Sequence, residues 1–156
     1  LHHHPDANIT VYHRHLDAPF FTHYRQRGYA VQGVEMTEQW MASIATRCPN
    51  GDWLLSEEHR HGPYYYSHLT DYLRFCLLWL HGGVYSDFDA ILLRPLDSIT
   101  ATGVVVGKDV IGKGESCGWC VGDGRTYLAP GVMYASAPGH SLFQRALAPF
   151  SANRYT

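Results

Sequence analysis

Apolar residues recur at spacings of three and four between Tyr64 and His81, in YYYSHLTDYLRFCLLWLH: Leu69, Leu73, Cys76, Leu77 and Leu80. That spacing gathers them on one face of a helix, with Pro63 before its first turn and Gly82–Gly83 after its last. The pattern predicts a buried amphipathic helix over 64–81, on which Asp71 and Arg74 share a face. TEQWMASIATRC, residues 37–48, predicts a second helix, with Thr37 as N-cap and Trp40, Met41 and Ile44 on one side. Short apolar runs predict strands at Ile9–Tyr12, Tyr29–Val34, Val84–Tyr85 and Gly103–Gly107, and Ala90–Leu93 reads as extended. Gly131 to Phe150 reads as a strand followed by a helix that starts near Gly139. Turn residues fill 49–63 and 108–127, which predicts loops, the second long enough to act as a lid. Strands alternate with helices, so the expected fold is α/β with a mostly parallel sheet flanked by helices.

The 156 residues fit a single domain, and 46% hydrophobic content supports a real core. A net charge of −2 without a Lys/Arg cluster leaves no nucleic-acid footprint. The longest strictly apolar run, Phe75–Leu80, falls far short of the roughly 20 residues of a membrane span. The chain starts at Leu1 rather than Met and ends at Thr156 without a clear stop, so it reads as a piece of a longer protein. The His2–His4 triplet reads as solvated sequence. Cys117 and Cys120 form CGWC within a glycine-rich stretch. A local disulfide, free thiols and half a metal site all remain open there.

Residues 82–93, GGVYSDFDAILL, set two aspartates between two apolar runs. Asp is a poor strand former. In an extended chain Asp87 and Asp89 share one face and Phe88 points to the other, toward the core. Two carboxylates so close repel unless a cation lies between them or one is protonated. A hard divalent ion such as Mg²⁺ or Mn²⁺ suits them, since it takes one or two carboxylates and fills its remaining positions with water and phosphate oxygens. The plainer reading is an Asp-x-Asp turn. Ligands of open α/β sheets gather at the carboxyl ends of strands, and VYSD fits such an end.

SHLTDYLRFCLLWLHGGVYSDFDAILLRPLD, residues 67–97, closely resembles the DXD core of glycosyltransferase family 32. That family includes yeast-type α-1,6-mannosyltransferases and animal α-1,4-galactosyl- and α-1,4-N-acetylglucosaminyltransferases, and clostridial glucosylating toxins look related. HHHPDANITVYHRHL and APGVMYASAPGHSLFQRAL resemble earlier and later family segments. The resemblance implies a GT-A type nucleotide-diphospho-sugar transferase fold, here one domain over 1–156 that is truncated at both ends. It implies Mn²⁺ or Mg²⁺ at Asp87 and Asp89, with Asp87 also toward the ribose or donor sugar. Asp71 and Arg74 would grip donor-sugar hydroxyls, Tyr85 would lie near the nucleotide, and Gly82–Gly83 would allow close backbone approach. LAPGVMY departs from the family where many members carry an Asn, placing Pro130 and Gly131 there instead.

The implied reaction is transfer of a hexose, with retention, from a nucleotide-sugar (UDP-sugar favoured) to a hydroxyl of a glycan or glycolipid. No catalytic nucleophile is assigned. Golgi lumenal residence follows if the source is eukaryotic. Two other readings stand beside this one. A haloacid-dehalogenase-type phosphatase also uses Asp-x-Asp, but expects a strongly apolar strand before the pair and Gly-Thr after it. An inactive transferase-like domain would keep the fold and metal site without turnover. As plain structure, Asp71–Arg74 is a surface i,i+3 salt bridge and Tyr85 a core aromatic.

Overall fold

The computed structural model describes residues 2–98, 103–110 and 126–151. The chain opens with a β–α–β unit of β1 (Ile9–His13), α1 (Ala18–Gln26) and β2 (Val31–Glu35). The intervening helix returns the chain to the start of the sheet, so the strands run parallel, Ile9 opposite Val31 and His13 opposite Glu35. Apolar spacing does not mark α1. Its signals are Asp17 at the N-cap and a proline in the first turn, and only Phe21 of the helix is buried.

Next come α2 (Glu38–Ala45), the single-turn helices α3 (Asp52–Leu55) and α4 (Glu57–Arg60), and the long α5 (Tyr65–His81). Thr37 caps α2 as expected, its hydroxyl accepting the Trp40 N–H at 3.1 Å. The predicted 49–63 loop is more ordered than its turn residues suggest, because Trp53 and Leu54 are buried in the core. Trp53 stacks on Tyr72 of α5 at 5.6 Å, and Phe150 meets both rings edge-on at 5.0 and 5.3 Å. Met41, Ile44, Leu69 and Leu73 fill the same core. Cys48, just beyond α2, is joined to Cys76 of α5 by a disulfide across 28 residues. The helical spacing reads Cys76 only as an apolar core position.

The second sheet contains β3 (Gly83–Ser86), β4 (Val104–Val110) and β5 (Thr126–Ala135), and α6 (Ser141–Leu147) follows. Its order is β3-β5-β4 and both pairings are antiparallel. The expected mostly parallel sheet is therefore corrected. Among the described residues only β1–β2 is parallel, because only that pair is linked through a helix that reverses the chain. Ala90–Leu93 forms no strand, and Ile91 and Leu93 are more than 80% exposed. The predicted 108–127 loop is shorter than expected, since β4 runs to Val110 and β5 begins at Thr126. The remainder of that loop, with Cys117 and Cys120, lies outside the described residues. His4 is not simply solvated: its Nε2 accepts the Leu96 N–H at 2.9 Å, across 92 residues. A second apolar cluster, Leu78, Met133, Ala135 and Phe143, joins α5 and α6 to this sheet.

Candidate functional site

The site begins where α5 stops. Gly82 closes the helix, its N–H donating to the Leu78 carbonyl at 2.9 Å, and takes a φ of +65°. A Cβ there would lie 3.0–3.2 Å from backbone atoms of Ala135 and Ala137, so both φ and the close approach require glycine. Gly83 also has positive φ, +81°. The chain then runs four residues along β5, with Tyr85 opposite Met133 and Ser86 opposite Val132. The ladder extends one residue further, where the Asp87 N–H donates to the Gly131 carbonyl at 2.7 Å. Gly131, the departure from the family pattern, therefore anchors the first aspartate. A Cβ on it would sit 3.3 Å from Asp87 Oδ2.

The Asp87 carboxylate is held at both oxygens. Tyr85 Oη donates to Oδ1 at 2.5 Å. Tyr85 and Asp87 are two residues apart in extended chain, so both side chains leave the same face. Arg74 Nη1 donates to Oδ2 at 3.4 Å, and Arg74 Nε lies 3.4 Å from Asp71 Oδ1. Only 11% of the Arg74 side chain is exposed, and its guanidinium lies 5.3 Å from the Tyr85 ring centroid. Asp71, Arg74, Tyr85 and Asp87, the residues singled out by the family resemblance, thus lie together in one cluster. Burial raises the Tyr85 hydroxyl pKa, and the hydrogen bond to Asp87 adds to it, so Tyr85 keeps its proton and donates it. Burial also raises Asp71, against the opposing pull of Arg74 and His68, while Asp87 adds a smaller rise.

Asp89 departs from expectation. The chain turns at the pair, with the Ala90 N–H donating to the Asp87 carbonyl at 3.2 Å. The two aspartates therefore do not sit along one extended strand. Phe88 is 80% exposed and does not anchor them in the core. Asp89 is exposed and takes no hydrogen-bond or ion-pair partner among the described residues. No group of three or more His, Cys, Asp or Glu side chains able to hold a metal occurs among those residues. The two carboxylates nevertheless fit a hard ion that keeps water and phosphate ligands. Asp89 faces solvent, and the Asp87 oxygens retain acceptor capacity beyond their single partners.

A cleft of about 870 Å³ lies beside Asp87. Successive residues Ile9 to Tyr12 of β1 and Gly83 to Ser86 of β3 line it, so these strands present edges to it. Gln32 and Val34 line it two residues apart, so β2 presents a face, and Met36 just beyond the strand lines it too. Leu69, Leu73 and Leu77 of α5 also line it. Apolar spacing alone does not reveal this cleft, because it depends on how the two sheets are set around α5.

Residues 1–105 match the family described as the glycosyltransferase sugar-binding region containing the DXD motif. Lactosylceramide 4-alpha-galactosyltransferase of Rattus norvegicus is 29% identical over 101 residues, covering 62% of this chain and 28% of that protein. The Homo sapiens protein of the same name is 28% identical over 101 residues, covering 62% of this chain and 29% of its own length. The Mus musculus protein of that name is 41% identical over 54 residues, 35% of this chain and 15% of the relative. The match thus spans less than a third of these relatives. No solved structure matches the chain.

Proposed function

The chain belongs to the glycosyltransferases that carry the DXD-containing sugar-binding region, and from that membership we propose that it serves metal-dependent, retaining transfer of a hexose from a nucleotide-sugar to an acceptor hydroxyl. A UDP-sugar is the favoured donor. The acceptor is a glycan or glycolipid, in keeping with relatives named for galactosyl transfer to lactosylceramide. The parallel β1–α1–β2 unit and the strand ending at Asp87 support a GT-A type fold, with residues 1–156 in one transferase domain. A Golgi lumenal site accords with glycolipid synthesis. No described helix is long and apolar enough to cross a membrane.

One observation carries the reading: Asp87 is fixed at a strand end by Tyr85 and Arg74, next to an Asp89 free to take a ligand. Asp87 and Asp89 would hold Mn²⁺ or Mg²⁺, which when bound supplies Lewis-acid stabilisation of the departing nucleoside diphosphate. Arg74 lies between Asp71 and Asp87 and offsets their repulsion. Tyr85 donates to Asp87 and orients its carboxylate. Asp71 and Arg74 offer an acceptor and donors to sugar hydroxyls.

Calorimetric titration of UDP and of GDP, with and without Mn²⁺, tests this, with Asp89→Ala alongside. Mn²⁺-dependent binding that the substitution abolishes is expected, with UDP tighter than GDP. A folded protein that binds neither nucleotide in Mn²⁺ defeats the proposal.

A further inference from the structure

Two guanidinium–phenol pairs line the cleft: Arg74 with Tyr85, and Arg14 with Tyr66. They are not equivalent. Arg74 is committed to two carboxylates, Asp71 and Asp87, each at 3.4 Å. Among the described residues Arg14 reaches one carboxylate, Glu38, at 3.7 Å. That carboxylate is already held by Arg60 at 2.8 Å, and it is largely exposed. One acidic group is therefore shared by two arginines. A guanidinium has five N–H donors, and the Glu38 contact engages few of them. The Arg14 guanidinium lies 6.0 Å from the centroid of the Tyr66 ring, which orients it without consuming those donors.

Position agrees with charge. Arg14 follows the last residue of β1, and Asp87 follows the last residue of β3. Ligands of parallel α/β sheets gather beyond the carboxyl ends of the strands, which is where Arg14 stands relative to the parallel β1–β2 pair. The ends of both strands line the same cleft, one carrying a guanidinium and the other a carboxylate. Around Asp87, two carboxylates (Asp71 and Asp87) share one guanidinium, Arg74, so that end carries an excess of negative charge until a cation binds. Arg14, set apart from those two carboxylates, is a cleft guanidinium that attracts an anion directly.

We infer that Arg14 is a binding residue for a phosphate group of the nucleotide, held ready by Tyr66 and only loosely retained by Glu38. This rests on the nucleotide-sugar reading above and adds to it a second, metal-independent contact. Guanidinium–phosphate hydrogen bonds are charge-assisted and frequently bidentate, which suits the planar donor fork of arginine.

Calorimetry of Mn²⁺–UDP binding to the wild type, Arg14→Gln, Arg14→Lys and Glu38→Gln tests it, each variant checked by thermal melting. Losing a charge-assisted hydrogen bond predicts that Arg14→Gln weakens UDP about tenfold or more. Arg14→Lys should recover part of that loss. Glu38→Gln removes the competing carboxylate, so its UDP affinity should equal or exceed that of the wild type. If Arg14 serves only the fold through Glu38, both neutral variants weaken UDP alike and lower the melting temperature together, and the inference is overturned. Unchanged affinity in Arg14→Gln, with the wild type binding normally, also overturns it but leaves the transferase reading standing. A wild type that binds no UDP in Mn²⁺ overturns both.

Discussion

At the scale of single residues, the site is an arrangement of charges around Arg74. Its guanidinium touches Asp71, Asp87 and the face of Tyr85, so removing it leaves two half-buried carboxylates facing each other. Hydrogen bonds to charged groups contribute about 1.5–3 kcal/mol. Arg74→Ala should therefore weaken Mn²⁺–UDP by at least tenfold or so, as measured by calorimetry. Unchanged affinity would exclude Arg74 from the donor site. Asp71 adds a pH dependence whose sign is fixed. Burial, the larger cause, raises its folded pKa above the ordinary aspartate value, against the lowering by Arg74 and His68. The native state then binds the Asp71 proton more tightly than the unfolded chain does. This contribution to stability is most favourable at low pH, and declines as pH rises from the unfolded value through the raised folded one. Asp71→Asn removes that decline. The variant should gain on the wild type in urea stability as pH rises through this window, and a difference independent of pH would contradict the burial account.

At the scale of elements, the junction from α5 to β3 depends on backbone freedom. Gly82→Ala places a Cβ at positive φ and 3.0–3.2 Å from the backbone of Ala135 and Ala137. The predicted cost is about 1–3 kcal/mol, read as a lower urea midpoint, together with weaker nucleotide binding because β3 carries Tyr85 into the site. A variant as stable as the wild type would show that the close approach relaxes freely. Local chemistry made much of this legible in advance. Leucine spacing gave α5 and Thr37 gave the start of α2, while the grouping of Asp71, Arg74, Tyr85 and Asp87 was implied by the family resemblance rather than by helix or strand periodicity. The misreadings arose where long-range packing decides. Ala90–Leu93 is as apolar as a strand, but a turn at Asp87 leaves Ile91 and Leu93 exposed. Alternation put Phe88 in the core, yet the chain ceases to be extended at that point. Gly131 reads from sequence as a missing Asn contact, and only the β3–β5 register shows that its carbonyl holds Asp87.

At the scale of the whole molecule, two separate sheets are joined through one helix. Leu73 of α5 lies in the core shared with α2, α3 and Phe150, while Leu78, little more than a turn later, packs with Met133 and Phe143. The Cys48–Cys76 disulfide ties the chain beyond α2 to the middle of the same helix. Closing a loop of 28 residues lowers the entropy of the unfolded chain by an amount worth about 3–4 kcal/mol. A helix common to both cores cannot melt in one and persist in the other without exposing buried leucine. Unfolding should accordingly be a single cooperative transition despite the divided sheet. Leu73→Ala, in the first core, should cost about 2–5 kcal/mol. The shift should appear equally in the fluorescence of Trp53, read with the other three tryptophans replaced by phenylalanine so that it reports the first core alone, and in far-ultraviolet circular dichroism, which reports both halves. Reducing the disulfide should move the same transition in both signals. Two separated transitions, with Leu73→Ala moving only the fluorescence, would mean that α5 does not couple the β1–β2 half to the strand that carries Asp87. The cleft between them would then be a gap between independent units, unable to hold Arg14 and Asp87 at a fixed spacing for one ligand.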